Sequence, residues 1–477
     1  MSTEELEIEL LEALIAERIH QSRQSFWEYC KTRAPDFYKE NRQHLKDICY
    51  TLQSLYEGTL LNKDGEPYVN MIMNIPPRHG KSRTLIHFCE WALGKRQTNR
   101  IITASYNEDL ATVFSRYTRD GISEEKVYPH EIIFSDIFPG VNVKRGDSSY
   151  RQWALEGQHF NYKGAGLGGS ITGKGGNILI VDDPIKNAAE AQNENALDKQ
   201  WQWFTDTFLS RQEQSDHSIK IVNMTRWSKK DICGRILEGK RADEWYVLMM
   251  PAMDDKGNML CSELLNRKNF DALVDFMDEA ILNANYYQQP LDLKGRLYKA
   301  FMTYDGELPQ FKEIRNYTDT ADSGDDYLCS IVYGVTFSNE AYILDVIYTK
   351  DAMEETEPSV AKMLFEQKVN ISDIESNNGG RGFARSVERL LMENHKSNYT
   401  YVNPFHQSKN KIARILSNST WVMKHIYFPI NWKDKWPEYY KAMNEYQRGG
   451  KNKHDDAPDA TTGIAEKIGA GDIFSFD

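Results

Sequence analysis

The chain has 477 residues, 40% of them hydrophobic and 27% charged, with a formal net charge of −12. That balance is ordinary for a globular chain of about three domains. Its sign gives no overall pull toward a nucleic-acid backbone, so any contact with DNA must come from local basic patches.

No run approaches about 18 consecutive apolar residues, so no helical membrane span is expected. The acidic opening Met1-Ser2-Thr3-Glu4-Glu5 does not read as a secretory signal. Six cysteines are scattered without a Cys-x-x-Cys pair, which argues for a reducing compartment and against structural zinc.

Residues 3–24 read as a helix with Leu6, Leu10, Leu11, Leu14 and Ile15 on one side, expected to pack on the ATPase core, with a partner-docking helix as the alternative. Phe26 to Leu61 continues helical, and Tyr38, Gln43 and His44 are available there to face an adenine. Short apolar runs at 69–75, 100–105, 177–183, 219–225 and 246–251 then alternate with helical stretches, the signature of a mostly parallel sheet. The segment 164–176 is too glycine-rich for a regular element and reads as a loop at the sheet edge.

Residues 252–313 are mixed and read as a connector. Beyond them, 314–320, 328–336 and 341–347 alternate like three antiparallel strands, followed by a helix (359–368), a strand (369–375) and a helix (381–393). The expected organisation is an α/β chain: residues 1–251 form a P-loop ATPase domain of the ASCE type with an N-terminal helical region. Residues 252–313 form the connector, and 314–477 a second domain on a mixed sheet.

The first domain is organised around Asn74-Ile75-Pro76-Pro77-Arg78-His79-Gly80-Lys81-Ser82, which follows an apolar strand and precedes a helical run. In such a loop, backbone N–H groups cradle phosphate oxygens, the lysine reaches the outer phosphates and the serine hydroxyl holds Mg²⁺. Ile75 stands where the opening glycine is usual, and Pro76 and Pro77 supply no N–H, so the cradle must begin at His79. Arg78 adds positive charge.

The strand 178–182 ends in Asp182 and Asp183. Lying beside the P-loop strand, Asp182 would serve the Mg²⁺ shell and Asp183 would orient the attacking water; the structural alternative is an N-cap pair before Pro184. Thr225 at the end of the next strand is placed to sense the γ-phosphate, with Arg226 either relaying its loss or pairing structurally with a carboxylate. Arg145, Arg151 and Lys174 are candidates for a cation supplied to a neighbouring subunit.

In the second domain Asp319 ends the first strand, Glu375 ends a later one, and Asp455, Asp456 and Asp459 open the last helix. Acids gathered in this order match an RNase H-like nuclease and suit two Mg²⁺ or Mn²⁺ ions about 4 Å apart. Asp456 is favoured among the last three, although Asp455 also fits a plain helix cap. Asp322, Asp325 and Asp326 read as a polar turn, with one of them joining the metal shell as the alternative. Lys409, Lys411, Arg414, Lys451 and Lys453 form the best local basic clusters for DNA, with a plain solvated basic face as the equal alternative for each.

Together, Pro-Pro-Arg-His-Gly-Lys-Ser (76–82), Ile-Val-Asp-Asp-Pro-Ile-Lys-Asn (180–187), Thr-Arg-Trp (225–227), Tyr-Gln-Gln-Pro (287–290), Asp-Thr-Ala (319–321) and His-Asp-Asp-Ala-Pro-Asp-Ala (454–460) resemble the large terminase subunit of tailed bacteriophages. The resemblance implies ATP-driven translocation of double-stranded DNA into a procapsid and cutting of concatemeric DNA. It implies ATP and Mg²⁺ at Lys81 and Ser82, hydrolysis at Asp182 and Asp183, coupling at Thr225, and nuclease metals at Asp319, Glu375 and one of Asp455 or Asp456.

The implied partners are the portal protein, the small terminase subunit and further copies in a ring on the portal, with no membrane. The implied location is the cytoplasm of the infected bacterium rather than the finished virion. Asp183 departs from the family's Asp-Glu pair. The competing expectations are a helicase-like nucleic-acid ATPase whose second domain binds without cutting, and a recombination nuclease with an accessory nucleotide-binding domain. Metal-dependent cleavage by the second domain would exclude the former, and DNA-stimulated ATPase the latter.

Overall fold

A computed structural model of the chain describes residues 3–146, 149–169, 171, 173–213, 218–291, 295–320, 326–377, 379–449, 452 and 454–468. They form two units, one of residues 1–186, 194–270 and 283–291, the other of 187–193, 271–282 and 292–477. Among the described residues no helix is long and apolar enough to cross a membrane.

The first unit carries seven strands: β1 (Asn70–Asn74), β2 (Ile101–Ser105), β3 (Gln152–Trp153), β4 (Tyr162–Gly166), β5 (Ile178–Asp182), β6 (Ile219–Asn223) and β7 (Trp245–Met249). Their order is β3-β4-β2-β5-β6-β1-β7. All neighbours pair in parallel except β3 and β4. β1, β2 and β5 are buried along their whole length, as strands covered on both faces must be.

The expectation that β5 adjoins the P-loop strand is wrong. β6 lies between them, with Asn223 in register with Asp182 on one side and Met73 on the other. Parallel strands all read as short apolar runs, so their lateral order cannot be taken from sequence.

The helices α1 (Thr3–Gln24), α2 (Phe26–Arg33), α3 (Gln43–Glu57), α4 (Lys81–Lys95) and α5 (Glu108–Ile122) belong to this unit. Phe26, Trp27, Tyr29, Ile48 and Leu52 from α2 and α3 pack with Leu85, Phe88 and Trp91 of α4 in its core. The C-terminal half of α1 is tied down: Arg18 donates to Thr32, Arg23 bonds the carbonyls of Asp136 and Ile137, and Trp91 Nε1 donates to the Ser22 carbonyl. Leu6, Leu10, Leu11 and Leu14 are exposed, Leu10 at 61%, so the expected packing of that stripe is not what the fold shows.

The glycine-rich segment begins as a strand, not a loop: β4 pairs with β2 from Tyr162 to Gly166. A Cβ at Gly164 would lie 2.7 Å from the Ala111 carbonyl oxygen of α5, and one at Gly166 would lie 2.6 Å from the Glu108 nitrogen. The glycines let a helix lie directly on the strand.

The second unit has β8 (Met302–Tyr304), β9 (Phe311–Asp319), β10 (Leu328–Thr336), β11 (Ala341–Thr349), β12 (Ile371–Glu375), β13 (Tyr401–Phe405) and β14 (Ile426–Pro429), in the order β13-β12-β9-β10-β11-β14-β8. β9, β10 and β11 form an antiparallel meander; β12 then crosses back to pair in parallel with β9, and β13 with β12. This is the RNase H-like topology, so the chain joins a P-loop ATPase fold to an RNase H-like fold.

Val360, Leu364, Phe383 and Val387, from α6 (Met353–Glu366) and α7 (Gly380–His395), pack against Leu328 and Val332 of β10. Two further helices, α8 (Lys411–His425) and α9 (Asp456–Ile468), pack on each other, and α9 contacts β9 and β10. Gly463 of α9 faces the Tyr317 ring so closely that a Cβ there would lie 2.0 Å from it. That contact fixes the depth at which the acids of α9 reach β9.

Candidate active sites

The phosphate-binding loop is built by turning sharply out of β1 into α4. Gly80, the residue before the helix, has φ +86°, and a Cβ there would strike the Phe37 ring and Leu45 at 2.8–2.9 Å. Arg78 and Asp183 take positive φ (62° and 42°) without being glycine. That strain costs each of the order of 1–3 kcal/mol and is characteristic of ligand-binding loops.

His79 is buried, with Nδ1 2.8 Å from the Pro77 carbonyl, and burial followed by the nearby Lys81 charge lowers its pKa. The ring of His44, on α3, meets that of His79 edge-on at 5.7 Å, and burial with its neighbour's charge drops the His44 pKa to about 4. Tyr38 bonds Thr84, and Gln43 is exposed and bonded to Asp47.

The acids of β5 stand opposite the loop. Ser82 Oγ donates to Asp182 Oδ1 at 2.9 Å, and Lys81 Nζ lies 2.9 Å from Asp183 Oδ2. Asn223, at the end of the intervening β6, donates its amide to Asp182, and the Thr225 N–H donates to Asp183 Oδ1 at 3.3 Å. Burial, with the adjacent Asp183 charge, pushes Asp182 up to about 7 against the pull of Lys81, Asn223 and Ser82. Lys81, Ser82, Asp182, Asp183 and Thr225 are thus brought together, and Asn223 is a member that sequence reasoning missed.

Arg226 takes the structural alternative. Its Nε donates to both oxygens of Asp231 at 3.1 Å, and Asp231 also accepts the N–H groups of Trp227, Ser228 and Gly234. The Arg226 backbone is gripped from the Tyr-Gln-Gln-Pro region: its N–H donates to Gln288 Oε1, and Asn285 donates to its carbonyl. Arg151 pairs with Glu108, Lys174 lies over the Phe160 ring, and Arg145 is exposed.

In the second unit the acids close on a cation. Lys411 Nζ lies 2.9 Å from Asp456, 3.0 Å from Asp455, 3.6 Å from Asp319 and 3.8 Å from Asp459. One turn on along α8, Arg414 pairs with Asp459 (2.8 Å), Glu466 (3.0 Å) and Glu375 (3.7 Å). The Tyr317 hydroxyl donates to Glu375 at 2.5 Å and accepts from Arg414 at 3.1 Å. Asp319, Glu375, Lys411, Arg414, Asp456 and Asp459 line a cavity of about 220 Å³.

Burial raises Asp319 well above the usual carboxylate range, with Glu375, Asp459 and Asp456 adding to it against Lys411. Burial likewise takes Asp459 up to about 7, opposed by Arg414 and Lys411. Burial works against the charge of Lys411, but the surrounding carboxylates hold it above an ordinary lysine.

The assignment of Lys411 and Arg414 to a DNA-facing patch is therefore corrected. Arg414 is only 4% exposed, and both cations turn inward onto acids distant in sequence. Lys409 remains exposed beside Glu466. Lys451, Lys453, Asp322 and Asp325 lie outside the described residues.

Among the described residues no three His, Cys, Asp or Glu side chains stand in a metal-holding arrangement, because the acids are gathered around the Lys411 ammonium. The donor set is nevertheless all carboxylate, the hard-oxygen chemistry that suits Mg²⁺ or Mn²⁺. Asp319, Glu375, Asp455, Asp456 and Asp459 can serve as ligands once the ammonium yields its place.

Among solved structures, the large terminase of a thermophilic bacteriophage, in complex with ATP-γ-S, is similar at 11% identity and a TM-score of 0.48, covering 87% of this chain and 98% of that one. The HK97 bacteriophage large terminase is similar at 10% identity and 0.36, covering 88% and 94%. Thermus thermophilus RuvC covers 33% of this chain and 96% of its own at 12% identity and 0.19.

No curated protein matches. Residues 72–279 match the family model described as terminase large subunit, T4likevirus-type, N-terminal. Over that stretch, somewhat less than half of its length, the chain is similar to the phage large terminase subunits.

Proposed function

We propose that this chain is a DNA-packaging motor with two activities: ATP hydrolysis that drives double-stranded DNA into a procapsid, and metal-dependent cutting of concatemeric DNA. The observation that carries the reading is the pairing of Lys81 and Ser82 with Asp183 and Asp182 across the end of a parallel sheet. The likeness of residues 72–279 to the terminase family supports DNA packaging as the work that hydrolysis would drive, with the portal protein, the small terminase subunit and further copies in a ring as the partners this reading proposes.

In the first site the backbone N–H groups from His79 onward, at the start of α4, would bind the β- and γ-phosphates. Lys81 would exchange Asp183 for the γ-phosphate, leaving that carboxylate to hold the attacking water and take its proton. Ser82 and Asp182, already bonded, would share the Mg²⁺ shell, with Asn223 fixing the Asp182 rotamer. Thr225, through its N–H on Asp183, would feel the change when the phosphate leaves.

In the second site Asp319, Glu375 and Asp456, with Asp455 and Asp459, would hold Mg²⁺ or Mn²⁺. Such ions activate a water and stabilise the leaving oxygen of a phosphodiester. Tyr317 and Arg414 would keep Glu375 and Asp459 oriented. Asp319 would present its carboxylate from the end of β9.

The test is paired. The full chain should hydrolyse ATP faster with double-stranded DNA present and should cut plasmid with Mn²⁺. Lys81→Ala should abolish only the first activity and Asp319→Asn only the second. An Asp319→Asn chain that cuts normally would place the cutting outside this acid cluster.

A further inference from the structure

We propose that Lys411 is a built-in counter-ion of the nuclease acids, competing with divalent metal for the same carboxylates, so that cutting begins only when metal displaces it. The inference rests on the nuclease reading above and adds a control to that site. Four carboxylates, from β9 and from the start of α9, lie within 3.8 Å of one ammonium. No metal can sit among Asp319, Asp455 and Asp456 while Nζ occupies that point.

The placement is not explained by α8 itself. Lys411 is the first residue of that helix, where a cation opposes the helix dipole. The N-terminal N–H groups are served instead by Asn410, whose side chain accepts from the Ala413 N–H. The ammonium is there for the acids.

The two cations of α8 differ in freedom. The Arg414 side chain is 2% exposed and held at once by Asp459, Glu466, Glu375 and the Tyr317 hydroxyl. The Lys411 side chain is 33% exposed, on a flexible stem that can turn its ammonium out to water. Arg414 therefore stays as a fixed part of the site, and Lys411 is the cation that yields. A site of this kind stays neutralised at low metal and opens above a metal threshold, which protects DNA that is being moved rather than cut.

The experiment measures Mn²⁺ binding to the full chain by calorimetry, without DNA, for the native protein and Lys411→Met. Loss of a directly competing charge should tighten Mn²⁺ binding by about tenfold or more. Unchanged or weaker binding in a folded Lys411→Met chain would overturn the proposal.

A second measurement needs no variant. Amine acylation of the native chain, read by mass spectrometry, should label Lys411 several-fold faster once Mn²⁺ is added, with exposed lysines unchanged. Equal labelling with and without Mn²⁺ would also overturn it. If neither chain binds Mn²⁺, the nuclease reading beneath the proposal falls with it, an outcome distinct from normal binding that ignores Lys411.

Discussion

Lys81 Nζ lies 2.9 Å from Asp183 Oδ2, so the lysine that should meet the nucleotide's outer phosphates is held on the carboxylate that should handle the attacking water. The pair predicts separable losses. Lys81→Ala removes a phosphate-facing charge and should lower ATP turnover about 100-fold or more. Asp183→Asn keeps the size and the Lys81 contact, so binding of a fluorescent ATP analogue should hold within a few-fold. Turnover should still fall about 100-fold or more, because the amide cannot accept the proton. Native turnover in Asp183→Asn would remove that residue from the mechanism.

Gly164 predicts a stability effect with no chemistry in it. An alanine Cβ there would press to 2.7 Å on the Ala111 carbonyl, which belongs to the backbone of α5 and cannot rotate away. Gly164→Ala should cost about 1–3 kcal/mol, as overpacked positions do. Gly168→Ala is the comparison: its Cβ meets nothing within 4 Å, though its φ of +79° strains any side chain. Urea denaturation should show Gly164→Ala as the variant whose loss includes a clash; equal losses would mean that α5 shifts freely.

These two cases show what the sequence carries. The phosphate loop was legible because strand, loop and helix are contiguous, and the acids because each ends a strand or opens a helix. β6 between β5 and β1 was not legible: which parallel strands are neighbours depends on crossovers, not on local pattern. β4 was misread because glycines needed for close helix packing look like loop residues. Lys411 and Arg414 were misread because a basic cluster looks solvent-facing until its partners, far away in the chain, are folded onto it.

His44 gives the chain an acid-sensitive point beside the phosphate loop. It is 2% exposed, and its pKa is lowered from 6.5 to about 4. Between those values the unfolded chain binds a proton that the folded chain does not, so stability falls as pH drops from about 6.5 toward 4. The depression corresponds to roughly 2–3 kcal/mol across that window. Chemical denaturation at pH 7.5 and 4.5 should show the native chain losing about that much more than His44→Gln. Parallel losses would show that His44 is protonated in place.

Tyr317 offers the sharpest separation of the two proposed sites, because its hydroxyl bonds Glu375 and Arg414 of the second acid cluster. It donates to Glu375 at 2.5 Å and accepts from Arg414 at 3.1 Å, so it sets the Glu375 rotamer and keeps Arg414 turned toward Asp459. The ring itself is clamped by Gly463 and meets the Phe405 ring edge-on at 5.6 Å, so Tyr317→Phe should leave the packing of β9 and α9 intact. What it removes is one hydrogen bond to a carboxylate, worth about 1.5–3 kcal/mol when the acceptor is charged. Mn²⁺-dependent plasmid cleavage should fall roughly 10- to 100-fold. ATP turnover should not change, and the thermal midpoint should move by a few degrees at most. Cleavage at the native rate would mean that Arg414 alone orients Glu375, and the hydroxyl would then be a packing detail.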